Sequence, residues 1–243
     1  MNVLKEELEK IAAEYHLNND LSDKFIEDLT QIHFCKWLEK RISSRDSILE
    51  LGYGDGVTVG KLKNKAKSYT VIEGSSQLFE KMKILHPDIK AELSLFEDYR
   101  PKTKFDKILA LHVLEHVDDP VDIVKHTKNW MHKNSELIVV VPNNNSIHRK
   151  LALEMGLISS LNELSSRDHL VGHQRVYDIA SLKLDLIKAG FDVICEYGFF
   201  LKPLPNSMML DYSEELLQAM NAISNYLPPD LMANICVIAR IKN

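Results

Sequence analysis

Between Ser47 and Pro142 short apolar runs alternate with helical segments, and this alternation constrains the fold more than any other feature of the chain. "SILELG" precedes a helical pattern over Val57–Ala66, and "YTVIEG" precedes one over Gln77–Leu85. A weaker strand over Ala91–Phe96 follows, then "FDKILALH", a helix over Val121–Trp130 and the strand "ELIVVVP". Strands that are apolar at nearly every position are covered on both faces, which a parallel sheet with crossover helices provides.

The flanking segments differ. Val3, Leu4, Leu8, Ile11, Ala12 and Tyr15 share one helical face, "HLNND" breaks it, and Phe25, Leu29, Ile32 and Leu38 resume it. After Pro142 the chain is polar and partly helical as far as Tyr177, too long for a simple connection. A helix at Ile179–Ala189, capped by Asp178 and stopped by Gly190, leads to the strand "FDVICEYGFF". A helical excursion around Ser213–Asn225 precedes a last strand, "NICVIARI". At 243 residues the reading is a single α/β domain. The expected layout is an N-terminal helical cap over 1–44, a ligand-binding core over 45–142, an insertion over 143–177, and the rest of the sheet with a helical insertion over 178–243.

The glycine-rich stretch "ILELGYGDG" narrows the function. Gly52, Gly54 and Gly56 follow the first expected strand, where open parallel sheets bind ligands. A dinucleotide loop is spaced G-x-G-x-x-G, and a phosphate loop needs Lys-Ser/Thr after its glycines. Here the spacing is G-x-G-x-G, with Asp55 inside the loop and Glu50 just before it. Two carboxylates would repel a pyrophosphate and suit a cationic or zwitterionic ligand. Glu73 ends the next strand about twenty residues on, the place of a carboxylate that binds ribose hydroxyls.

"ILELGYGDG", "VIEGS" and "FDKILALHVLEHVDDP" resemble successive motifs of the class I S-adenosylmethionine-dependent methyltransferases, most of all the small-molecule subgroup that includes the ubiquinone-biosynthesis enzymes. The resemblance implies a Rossmann-like, seven-stranded, mostly parallel sheet with an antiparallel last strand and helices on both faces. It implies S-adenosyl-L-methionine as the methyl donor. Glu50 and the loop Gly52, Tyr53, Gly54, Asp55 and Gly56 would hold the methionine end. Glu73, with Gly74 and Ser75, would hold the ribose. "SLFEDY" matches the adenine pocket, where Leu95 stands at a position that is often acidic, leaving Phe96 and Glu97 to line it. His112 would lie beside the amino-acid portion. An N-terminal helix closes over the cofactor in related enzymes, which offers Tyr15, Phe34 or Trp37 as lid residues besides core packing.

"HVLEH" fits H-x-x-E-H, a zinc pattern when both histidines share a helix. Here His112 closes an apolar strand, so the pair spans a strand-to-helix turn and no metal is expected. Glu115 and His116 read instead as pocket wall or as residues that orient the turn. "RDHLVGHQRVY" gathers further reactive groups. His173 or His169 is the candidate base, Arg175 a clamp for an anionic acceptor, and Tyr177 an orienting hydroxyl, each balanced by a solvated-loop reading. His148 and Arg149 are candidates of the same kind. Asn143–Asn145 read as a loop capping the fifth strand, since the Asn/Asp-Pro-Pro-aromatic motif of nucleic-acid amino methyltransferases is missing.

A net charge of −5 with acid and base interspersed gives no electrostatic footprint for nucleic acid. Three dispersed cysteines favour a reducing compartment. No secretory or membrane-length apolar run appears, so a cytoplasmic monomer or homodimer with a small or carrier-linked acceptor is expected. The alternatives are a tRNA or protein methyltransferase, a nicotinamide-dependent oxidoreductase, or a non-catalytic protein that keeps the fold.

Overall fold

A computed structural model describes residues 3–18 and 21–242 of the chain. Seven strands form one sheet: β1 (Ser47–Leu51), β2 (Ser68–Glu73), β3 (Lys90–Leu93), β4 (Phe105–Leu111), β5 (Met131–Pro142), β6 (Phe191–Phe199) and β7 (Asn234–Ile241). Their spatial order is β3-β2-β1-β4-β5-β7-β6. All neighbours are parallel except β7, which runs antiparallel to both β5 and β6.

Alternation within the strands explains why they read as continuous apolar runs. In β5, Ile138 and Val140 point to one core, while Leu137, Val139 and Val141 point to the other. In β1, Ile48 joins the first core and Leu49 and Leu51 the second. The first face is covered by α2 (Lys24–Glu39), α3 (Val57–Leu62), α4 (Ser76–Leu85) and α9 (Glu214–Ile223). The second is covered by α5 (Pro120–Thr127) and α8 (Ile179–Lys188). Both sets of helices are needed, because either sheet face left open would expose a row of branched side chains.

Local signals set the element ends. Asp178 caps α8 by accepting from Ser181 N at 2.7 Å, and Gly190 ends it at φ +86°. Asp119 caps α5 ahead of Pro120. Strand β3 is shorter than the apolar pattern implies: Ser94 N makes the last ladder bond, to Glu73 O at 3.0 Å, and the chain then turns, with Asp98 N donating to Leu95 O at 3.3 Å.

The N-terminal segment is helical as expected. It comprises α1 (Val3–Ile11) and a π-helical turn over Ala12–His16, followed by α2. Asn19 and Asp20, which belong to the expected break between the helices, lie outside the described residues. Residues 143–177 carry two short helices, α6 (Ile147–Glu154) and α7 (Ser166–Leu170). Among the described residues no helix is long and apolar enough to cross a membrane.

Candidate active site

The carboxyl ends of β1, β2 and β4 open into one cavity of about 1100 Å³, roofed by α1, the following turn and residues 143–177. That volume is at or above the ~300–1,000 Å³ typical of small-molecule sites. Every residue expected to hold the cofactor lines it, from Glu50 and the glycine loop to Glu73, Phe96, Glu97 and His112. One half of the cavity is therefore assembled from consecutive strand ends.

The glycine loop owes its shape to backbone conformations that side chains disfavour. Gly52, Gly54 and Gly56 have φ of +78°, +53° and +79°. A Cβ on Gly56 would meet the Tyr53 hydroxyl at 2.3 Å and the ring carbon Cζ at 2.5 Å. That ring is folded beneath the loop and is 4 % exposed, so Tyr53 faces the cavity mainly through its backbone.

Two buried carboxyl groups underlie the loop. Glu73 Oε2 accepts from Tyr53 N at 2.8 Å and Oε1 accepts from Ser75 N at 2.7 Å, so each oxygen keeps capacity for one more donor. Burial raises the pKa of Glu73, and these backbone donors partly oppose the rise. Glu50 accepts from Tyr69 Oη at 2.8 Å, and burial pushes its pKa up to about 8, keeping the carboxyl largely protonated near neutrality. Asp55 differs: burial raises it, but His16 and Lys24, whose Nζ lies 2.6 Å away, outweigh that and hold it ionised.

The roof is fastened to this half. The Glu9 carboxylate of α1 accepts from Ser75 Oγ at 2.8 Å, and from Ser76 N and Ser76 Oγ at 2.6 Å each, at the start of α4. These bonds outweigh the effect of burial and lower its pKa to about 2. Tyr15 lines the cavity and donates to Glu27 Oε2, whereas Phe34 and Trp37 pack in the core and against Tyr197. Of the three possible lid residues, Tyr15 alone lies at the cavity.

The other half joins distant segments. His173 and His169 line the cavity, and His173 Nδ1 lies 2.7 Å from Asp168 Oδ1. The Asp168 carboxyl, raised by burial, is brought well below the usual range by bonds from His173 and Ser165. Arg175 and Tyr177 do not reach the cavity. The Arg175 guanidinium donates to the carbonyls of Leu114, Val117 and Asp118, and Tyr177 Oη donates to Asp185 Oδ2 at 3.2 Å. Arg175 therefore braces the turn after β4 and is not placed to clamp an acceptor.

Arg149 is likewise occupied, donating to Asp168 and to the carbonyls of Leu161 and Glu163. His148 lines the cavity, with burial lowering its pKa to about 3. Lys202 also lines it, although no sequence pattern marks it, and burial lowers its pKa to about 8. Asn143 and Asn144 border the cavity. The Asn143 amide donates to the carbonyls of Asp230 and Met232, which supports a strand-capping role.

Among the described residues, His112 (φ +56°) and Phe200 (φ +66°) are the non-glycine residues with left-handed backbone, and both line the cavity. Such conformations cost about 1–3 kcal/mol each and gather at functional sites.

A seven-stranded sheet with β7 reversed, and a ligand cavity behind a G-x-G-x-G loop and an acidic β2 end, defines the class I methyltransferase architecture. The methyltransferase-domain family matches residues 23–196, and the chain belongs to the S-adenosylmethionine-dependent methyltransferases. A search of curated proteins by sequence gives no match. Among solved structures, the chain is similar to an S-adenosylmethionine-dependent methyltransferase of Thermotoga maritima, a possible histamine N-methyltransferase. Identity is 18 %, coverage 97 % of this chain and 100 % of that one, and TM-score 0.69. A Haloferax volcanii methyltransferase in complex with the Trm112 activator aligns with 12 % identity, coverage of 97 % and 98 %, and TM-score 0.65. The plantazolicin methyltransferase BpumL, solved with SAH and a desmethyl analog, aligns with 15 % identity, coverage of 96 % and 90 %, and TM-score 0.57.

Proposed function

We propose that this chain methylates a small-molecule or carrier-linked acceptor held in the half of the cavity lined by residues 143–177, Phe200 and Lys202. One observation carries the reading. The expected donor residues line a single cavity, and a His173–Asp168 pair from residues 143–177 lines the same cavity. The residues present suit S-adenosylmethionine, since the glycine loop leaves open space at Gly52 and the Glu73 carboxylate keeps acceptor capacity. When bound, that group supplies an electrophilic methyl on a sulfonium.

In this reading Glu73 holds the ribose hydroxyls, Phe96 packs on the adenine, and the glycine loop with Glu50 borders the methionine end. Asp168 fixes His173 through Nδ1 and leaves Nε2 for activating the acceptor nucleophile. Alignment and exclusion of water by the α1 roof account for the remaining catalysis. Lys202, rather than Arg175, is the cation that would meet an anionic group on the acceptor. The roof also favours a small acceptor over a folded RNA or protein surface.

The test separates the two halves. His173→Ala should lower turnover about 10²–10⁴-fold, the usual contribution of a positioned acid–base group, and leave S-adenosylhomocysteine affinity within about threefold. Unchanged turnover on an accepted substrate would refute the assignment.

A further inference from the structure

The turn "HVLEH" is not exhausted by a role as cofactor wall. Glu115 is 1 % exposed, and neither carboxylate oxygen has a hydrogen-bond partner among the described residues. His112 Nδ1 lies 3.3 Å from Glu115 Oε1, at ion-pair distance but without hydrogen-bond geometry. Burying a carboxylate without donors is costly, and paired or metal-bound carboxylates are the usual remedy.

Two histidines complete the cluster. Ligand atoms of Glu115, His116 and His173 all lie within 4.8 Å of one another. The His116 and His173 rings meet edge to face with centroids 4.8 Å apart, and both line the cavity. Each ring has its Nδ1 already engaged. In His173 it faces Asp168 Oδ1 at 2.7 Å, and in His116 it faces Gly172 O at 3.3 Å. Carboxylate and carbonyl partners on Nδ1 are the arrangement that fixes metal-ligating imidazoles and directs Nε2 to the ion.

The chain also invests in holding the two segments together. Gln174 N donates to Glu115 O at 2.8 Å, and Gln174 Nε2 donates to His116 O at 2.6 Å. Arg175 donates to the carbonyls of Leu114, Val117 and Asp118. Residues 114–118 and 172–175 are thus stitched into one unit although far apart in sequence. The objection that His112 and His116 do not share a helix no longer applies, because the second imidazole comes from His173.

We propose that Glu115, His116 and His173 bind one divalent transition-metal cation of the zinc type. Two imidazoles and one carboxylate with a position left open form a ligand set used by catalytic zinc. With metal–ligand bonds of about 2.1 Å the donor atoms must draw together by roughly an ångström, which side-chain rotation can supply. His116 and His173 line the cavity, so an acceptor bound there would reach the cation, and the matching acceptor class is a hydroxyl compound. On binding, the acceptor oxygen bonds to the cation, its O–H bond breaks and the proton passes to solvent water, leaving an oxygen nucleophile. This deepens the proposed function: His173 activates the acceptor as a metal ligand and is not the final proton carrier.

The experiment is a titration of the full chain, stripped with a chelator, with Co²⁺ followed by its visible absorption and displaced by Zn²⁺. S-adenosylhomocysteine affinity is measured in parallel. One equivalent should bind, and Glu115→Gln and His116→Gln should each weaken binding at least tenfold, while His126→Gln on the α5 surface leaves it unchanged. If Glu115→Gln fails to fold, as loss of S-adenosylhomocysteine binding would show, His116→Gln decides the matter. The absence of saturable Co²⁺ binding, or variants that bind like the wild type, overturns the metal site. If S-adenosylhomocysteine still binds in that case, the donor reading survives. Metal binding without S-adenosylhomocysteine binding would uphold the metal site and refute the donor reading.

Discussion

The two halves of the cavity are built in opposite ways. The donor half comes from the ends of β1, β2 and β4 and the few residues after each, so sequence neighbours are also site neighbours. The half proposed to hold the acceptor is lined by residues from 143–177 and 200–207, which reach one another and the turn after α1 through long-range polar contacts at Glu27. Tyr15, Glu27 and Arg167 illustrate this: Tyr15 Oη donates to Glu27 at 2.5 Å, and Arg167 donates to Glu27 at 3.1 Å. A strand-end site can be reached with many sheet sequences, but such a roof must be specified contact by contact. In the proposed reading the donor site rests on strand ends, whereas the acceptor site rests on the inserted segments.

Beyond the loss of turnover expected at His173, the contrast can be sharpened within the donor half. The larger effect is expected at Gly56. A Cβ there would meet the Tyr53 hydroxyl at 2.3 Å and its ring carbon Cζ at 2.5 Å, with φ at +79°. Gly56→Ala should cost about 2–4 kcal/mol of stability, from a disfavoured backbone and an overpacked loop together. Thermal unfolding would show it, and an unchanged midpoint would mean the loop is not constrained from beneath.

A smaller effect concerns pH. Burial raises the Glu50 carboxyl from its ordinary value to about 8. Between roughly pH 4.5 and 8 the folded chain keeps a proton that the unfolded chain has released, so this group makes stability fall as pH rises. Glu50→Gln mimics the protonated form and should flatten that slope across the window. A slope identical to the wild type would show that Glu50 is ionised in the folded protein.

The same contrast explains how much could be read from sequence. The alternation of "SILELG", "YTVIEG", "FDKILALH" and "ELIVVVP" announces a parallel sheet because both faces of each strand are buried. The cap at Asp178 and the stop at Gly190 are equally legible, since each acts on its immediate neighbours. The position of Arg175 is not. Its cluster with His169, His173 and Tyr177 suggests shared chemistry, yet its guanidinium turns to carbonyls nearly sixty residues earlier. Lys202 enters the cavity from a segment with no periodicity to mark it. The unity of Glu115, His116 and His173 was concealed for the same reason, because hydrogen bonds between two distant loops create it.

The central claim is that the donor half is shaped for a nucleoside with an amino-acid end, held by Glu73. Isothermal titration calorimetry with S-adenosylhomocysteine and with NAD tests it most directly. The account predicts saturable binding of S-adenosylhomocysteine at one site, none of NAD at comparable concentration, and a tenfold to hundredfold weakening in Glu73→Ala. That range corresponds to about 1.5–3 kcal/mol for the loss of hydrogen bonds to a charged group. Tight NAD binding, or S-adenosylhomocysteine binding indifferent to Glu73→Ala, would contradict it.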